Sequence, residues 1–278
     1  MNRLTIRPTA ALLLALAGCG GEMRKANTGS PLPALEEVTA AEWQRLAGRT
    51  LFFGHQSVGA NVMEGVSEVL RAHPEIPLRV IETADPARIT GPGLYHGAVG
   101  RNGAPDSKLA DFGRIAAAVG DSGTAMVKFC YIDVDASTDA EALFARYRAT
   151  VDSLRARQPG LTLVHLTLPL QVDHGTLFHW RTKLRGKQTP YRTLNAVRAR
   201  YNQRMRETYG GREPLFDLAH FQSLFPDGTV GVVRQDGQDV EYLAPELTSD
   251  GGHLNALGRQ RIAQAFLVAL AKLKRPGA

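Results

Sequence analysis

A disulfide framework is excluded for this chain. Its 278 residues include only two cysteines, Cys19 and Cys130, so stability has to come from a buried apolar core. Long apolar runs are also missing: the run over 10–17 has eight residues, whereas a spanning helix takes about 20. The eight histidines show no paired ligand spacing, which argues against a metal centre. No internal repeat, no low-complexity tract and no nucleic-acid-binding motif is present.

What is present begins with an address. The first seven residues carry Arg3 and Arg7 and no acid, and the short apolar run follows, which is the pattern of a secretory signal peptide. The run ends in Leu16-Ala17-Gly18-Cys19, which resembles the lipobox of bacterial lipoproteins. That resemblance implies cleavage before Cys19, acylation of its thiol, and a membrane anchor made of more than one acyl chain. Gly20 rather than aspartate follows the cysteine, so the same resemblance implies sorting toward an outer membrane within the cell envelope. The expected organisation is a signal peptide over 1–18, a Gly- and Pro-rich flexible tether over 19–45 and one domain over 46–278.

The formal charge of +6 becomes +4 once Arg3 and Arg7 leave, and the excess is uneven. Between Arg181 and Arg212 stand ten Lys or Arg against one acid, Glu207. Such a stretch reads as the solvated face of a helix, or as a surface for an anionic polysaccharide or lipid headgroups. Nucleic acid is not an expected partner, and the oligomeric state is left open.

Short apolar segments over 50–53, 78–82, 125–131, 161–168 and 215–218 have the character of buried parallel strands. Helical patterns lie between them. Thr138 and Glu141 form a capping box ahead of Leu143, Tyr147, Val151 and Leu154. Leu194, Val197, Tyr201 and Met205 make the next stripe, with its arginines directed outward, and Ile262, Phe266, Leu270 and Leu273 make the last. The alternation predicts a three-layer α/β/α sandwich on a parallel sheet of about five strands. Residues 85–105, rich in glycine and proline, read as a long loop, and Asp236-Gly237 reads as a hairpin turn between 230–234 and 239–243.

Two places carry chemistry. Ser57 follows the first strand in Gly54-His55-Gln56-Ser57, at the start of a helix whose free N–H groups favour a developing negative charge. By itself it reads equally as a helix N-cap. Near the other end, Asp250-Gly251-Gly252-His253 offers a base and a carboxylate to orient it, from one tight turn.

Together these resemble the SGNH or GDSL hydrolases, whose last block is Asp-x-x-His followed by Leu-Asn and a C-terminal helix, as in Asp250 to Gly258 here. The resemblance implies a flavodoxin-like sheet, a Ser57–His253–Asp250 triad, ester hydrolysis and no cofactor. The first block departs from the family's Gly-Asp-Ser. Ile132 stands where the family's third block has an oxyanion-hole asparagine, so Gly100, Asn102 and Gly103 become the candidate donors. His55, Gln56, Lys128, Tyr131 and Asp133 are candidates for contact with substrate, and His174, His179 and Trp180 for a covering loop.

The expected substrate is an O-acylated carbohydrate or a lipid ester. The same triad could pass an acetyl group to a glycan, and an inactive lipid-anchored binding protein is the reading from a different class.

Overall fold

A computed structural model of the chain describes residues 23–26, 31–175, 191–235 and 237–274. Six parallel strands form its central sheet: β2 (Thr50–His55), β3 (Val80–Glu82), β4 (Gly93–Ala98), β5 (Thr124–Val127), β6 (Thr162–Leu166) and β7 (Leu215–Phe216). Their order is β3-β4-β2-β5-β6-β7. Along β2 the residues alternate between two cores. Leu51 and Phe53 join a cluster with Val62, Val66 and Phe266, while Phe52 packs with Phe112, Leu143 and Tyr201 on the opposite face. Both faces are therefore buried, as in a three-layer α/β/α sandwich.

Helices α1 (Ala40–Ala47) and α2 (Val58–Ala72) cover one face, and α3 (Pro105–Ala116) and α4 (Ala140–Arg157) the other. Further along are α5 (Tyr191–Tyr209), α6 (Leu218–Ser223) and α7 (Ala256–Ala271). Helices α2 and α7 approach closely at Gly65, where a Cβ would stand 2.4 Å from the Arg259 carbonyl oxygen. That contact joins the helix that follows Ser57 to the helix that follows His253. A smaller antiparallel sheet combines β1 (Met23–Ala26), β8 (Val230–Gln235) and β9 (Gln238–Glu241), the last two forming the expected hairpin with Gly237 at φ +79°. Among the described residues no helix is long and apolar enough to cross a membrane.

Several expectations are corrected. The loop foreseen over 85–105 contains β4, which lies between β2 and β3 in the sheet. Its glycines are there for close packing, since a Cβ on Gly97 would stand 2.9 Å from the backbone of Thr83 and Ala84. Part of the tether foreseen over 19–45 is structured: β1 pairs with β8, and α1 is capped by Thr39 and buries Trp43 and Leu46. Helix α4 is capped by Asp139 rather than Thr138, whose hydroxyl serves Asp135 instead. Not every arginine of α5 points outward, because Arg198 is buried.

Candidate active site

Strand β2 delivers Ser57 to the carboxyl edge of the sheet, at the point where strand order reverses and open α/β sheets form their crevices. Ser57 is the only non-glycine residue with positive φ among the described residues, at φ 51° and ψ −113°. A serine held in that region carries strain of order 1–3 kcal/mol, which has to be balanced by the surrounding fold. Although Ser57 occupies the N-cap position of α2, its hydroxyl makes no capping hydrogen bond. It donates instead to His253 Nε2, 2.7 Å away.

His253 is oriented by the turn that carries it. Its Nδ1 lies 2.6 Å from Asp250 Oδ2, while Asp250 Oδ1 accepts the Gly252 and His253 backbone N–H groups at 2.9 and 2.8 Å. Burial opposes ionisation of this carboxyl, yet the hydrogen bonds from the His253 ring and the two N–H groups hold it well below the usual carboxylate range. An ionised carboxylate only accepts, so Nδ1 carries the ring proton and Nε2 is left free to accept from Ser57. Gly251 sits at φ +91°, and a Cβ on Gly252 would stand 3.0 Å from the Tyr131 ring. The turn is tied to α2 by Asn61, which accepts the Leu254 N–H at 3.2 Å. Asn255, and not Asp250, caps α7.

The neighbouring candidates separate into those that face Ser57 and His253 and those that hold the frame. Tyr131 faces them. Its hydroxyl is 3.3 Å from His253 Nε2, its ring meets the imidazole edge-on at 5.6 Å, and burial pushes the phenol pKa up. Asn102 is exposed, with its Oδ1 accepting from Lys108 Nζ at 2.9 Å, so that its NH₂ group remains as a donor. The Ser57 backbone N–H has no acceptor among the described residues and lies at the start of α2.

The two candidate glycines are already engaged. Gly100 N–H donates to Asp111 Oδ2 and Gly103 N–H to Asp133 Oδ1, both at 2.8 Å, so neither is available to an oxyanion. Asp133 does not line the site either. It is buried, pairs with the equally buried Lys108 at 2.6 Å, and accepts the Cys130 N–H at 2.6 Å. Gln56 spends its amide on the Val99 and Gly100 carbonyls at 2.9 and 2.6 Å, which fixes the loop that carries Asn102. His55 is buried against His96 at 3.0 Å, and burial pushes its pKa down to about 3. Lys128 lies beneath the start of α2 and donates to the Phe129 carbonyl at 3.0 Å. His174 reaches the site's edge, its Nε2 being 3.9 Å from the Cβ position of Gly251. Cys19, His179 and Trp180 lie outside the described residues, and no group of three or more metal-ligating side chains occurs within them.

One residue escaped sequence reasoning. Arg198 donates to the Tyr131 carbonyl, Gln171 Oε1 and Asn195 Oδ1 at 2.9, 2.8 and 2.7 Å, and its guanidinium carbon lies 5.8 Å from the Tyr131 ring centroid. Burial lowers its pKa to about 9, and none of these partners is a carboxylate. A run of ten cations reads as a solvated face, and only the apolar spacing around position 198 could have pointed inward.

No family model matches the chain, and no curated protein does. Among solved structures it is similar to a protein described as a putative platelet activating factor from Streptococcus pneumonia, at 14% identity and a TM-score of 0.47 over 85% of this chain and 94% of that one. It is also similar to a lipase/acylhydrolase from Enterococcus faecalis (11%, TM-score 0.46, 83% and 99% covered) and to an acetyl xylan esterase (16%, TM-score 0.43, 79% and 98%). Likenesses at this level fix neither activity nor substrate.

Proposed function

We propose that the chain is a serine ester hydrolase of the cell envelope, exported and anchored to the membrane by lipid at Cys19, acting on an O-acylated carbohydrate or a lipid ester. One observation carries the reading: a strained serine at a helix N-terminus gives its hydroxyl to an imidazole that is itself held by a carboxylate. Those are the parts needed to make a hydroxyl nucleophilic.

Ser57 Oγ attacks the ester carbonyl while its proton passes to His253 Nε2. Collapse of the tetrahedral intermediate expels the alcohol, which takes that proton. Water then attacks the acyl-serine, again giving a proton to Nε2, and the carboxylic acid leaves as Ser57 is restored. Asp250 keeps the ring in the reactive tautomer and stabilises the imidazolium. The Ser57 N–H and the Asn102 amide are the donors for the oxyanion, in place of the amide that Ile132 lacks.

Hydrolysis of p-nitrophenyl acetate by wild type and not by Ser57→Ala is the expected result. Equal inertness of the two proteins would leave only the binding-protein reading. Acetylated oligosaccharide formed without net hydrolysis would make the chain an acyltransferase.

A further inference from the structure

Strand β1 has no part in that chemistry, yet it is held firmly to the domain. Met23 pairs with Val233 and Ala26 with Val230 across the antiparallel ladder to β8. Arg24 is ion-paired with Asp239 and Lys25 with Asp227, and the Lys25 ammonium lies 4.1 Å from the Phe225 ring centroid. Residues 23–26 thus form a strap.

The strap ends at Gly175, one residue along the chain from His174. The Met23 terminal methyl lies 3.4 Å from the Cβ position of Gly175, whose chain neighbour His174 reaches the turn of Asp250 and His253. Tyr131, whose ring meets the His253 imidazole, is followed by Ile132, which is 57% exposed, and Met23 is 45% exposed. These are two of the three large apolar side chains exposed among the described residues.

The length of chain ahead of the strap gives this face a direction. Met23 stands four residue steps from Cys19, with Gly20, Gly21 and Glu22 between them. Fully extended, these steps span at most about 14 Å. A polar headgroup layer is roughly 5–7 Å deep on each side of the bilayer. A free tether over 19–45 would instead hold the domain at a root-mean-square distance of roughly 30 Å, with no preferred orientation.

We propose that the Ser57 face is a membrane-docking surface: β1 straps the domain to its lipid anchor so that Met23 and Ile132 rest on the bilayer and Ser57 opens toward esters borne by that membrane. This rests on the anchor at Cys19 and on the hydrolase reading.

The test uses the full-length, lipidated protein in phosphatidylcholine vesicles that contain a fluorogenic phospholipid ester. A second chain carries twenty Gly and Ser residues inserted between positions 22 and 23, which leaves β1 intact and releases the domain from the surface. The native chain should cleave the lipid ester about tenfold faster than the insertion chain, because confinement raises the effective concentration of substrate. Both should turn over p-nitrophenyl acetate equally. A fluorophore on Ile132→Cys reads the geometry without turnover: lipid-borne quencher should dim it in the native chain and spare it in the insertion chain.

Equal rates on the lipid ester and equal quenching in the two chains would overturn the docking proposal. If neither chain hydrolyses p-nitrophenyl acetate, the hydrolase reading falls while the quenching comparison still decides docking. If the Cys19 peptide carries no acyl group, anchor and docking fall together.

Discussion

Replacing Asp133 with asparagine should destabilise this protein by about 3–5 kcal/mol, the usual cost of breaking a buried ion pair by removing one partner. The side chains of Asp133 and Lys108 are both fully buried, 2.6 Å apart. Asp133 also accepts the Cys130 and Gly103 N–H groups. In Asp133→Asn one oxygen becomes an NH₂ group that faces donors, and the Lys108 ammonium is left without a counter-charge. For a domain of this size unfolding in urea at roughly 2–3 kcal/mol per molar, the midpoint should fall by roughly 1.5 M. Adding Lys108→Met removes the stranded charge and should recover about half of the loss or more. Activity should fall in the single variant too, because Lys108 and Asp133 hold the loop that carries Asn102. A loss below about 1 kcal/mol, or a further loss on adding Lys108→Met, would refute the view that this pair is a buried frame for the site.

Other consequences follow from single features. Ser57→Gly should abolish turnover while raising stability by about 1 kcal/mol, since glycine relieves the positive-φ strain; an unfolding midpoint below wild type would contradict this. Asn102→Ala should lower kcat by about 10²–10³ with little change in KM, the usual effect of losing one oxyanion donor, whereas an unchanged kcat removes Asn102 from that role. Acid should destabilise the fold through His55. Its pKa of about 3 in the folded state lies below that of the unfolded chain, so the unfolded state binds the proton first. The stability is complete above the unfolded value near 6.5 and is lost as pH falls from there, by about 2 kcal/mol at pH 5. His55→Gln should flatten that slope in urea titrations at pH 7.5 and 5; an unchanged slope assigns it to other groups.

The turn of Asp250 and His253 was more legible in the sequence than the frame around it. Asp250, Gly251, Gly252 and His253 are contiguous, so their spacing already encodes the turn, with Gly251 at positive φ and Gly252 packed tightly against the Tyr131 ring. Ser57 was ambiguous because a helix N-cap and a helix-borne nucleophile use the same residue type at the same position. In the structure its hydroxyl is directed to His253 and makes no capping bond. Strand β4 was hidden because Gly93 and Gly97, which read as turn residues, are packed against the backbone or side chains of their neighbours. The roles of Gly100, Gly103, Gln56 and Asp133 depend on partners far away in the sequence, and Arg198 depends on a helix face whose charge pattern points the other way. Tertiary hydrogen bonds decide these cases, and local pattern carries no trace of them.

The central claim, that Ser57 is a nucleophile activated by His253, is tested most directly by mass-spectrometric mapping of a fluorophosphonate adduct on the intact protein. One phosphonyl group per chain, found on the Ser57 peptide and missing from both Ser57→Ala and His253→Ala, is the expected result. An unlabelled wild type, or a label on another serine, would contradict it.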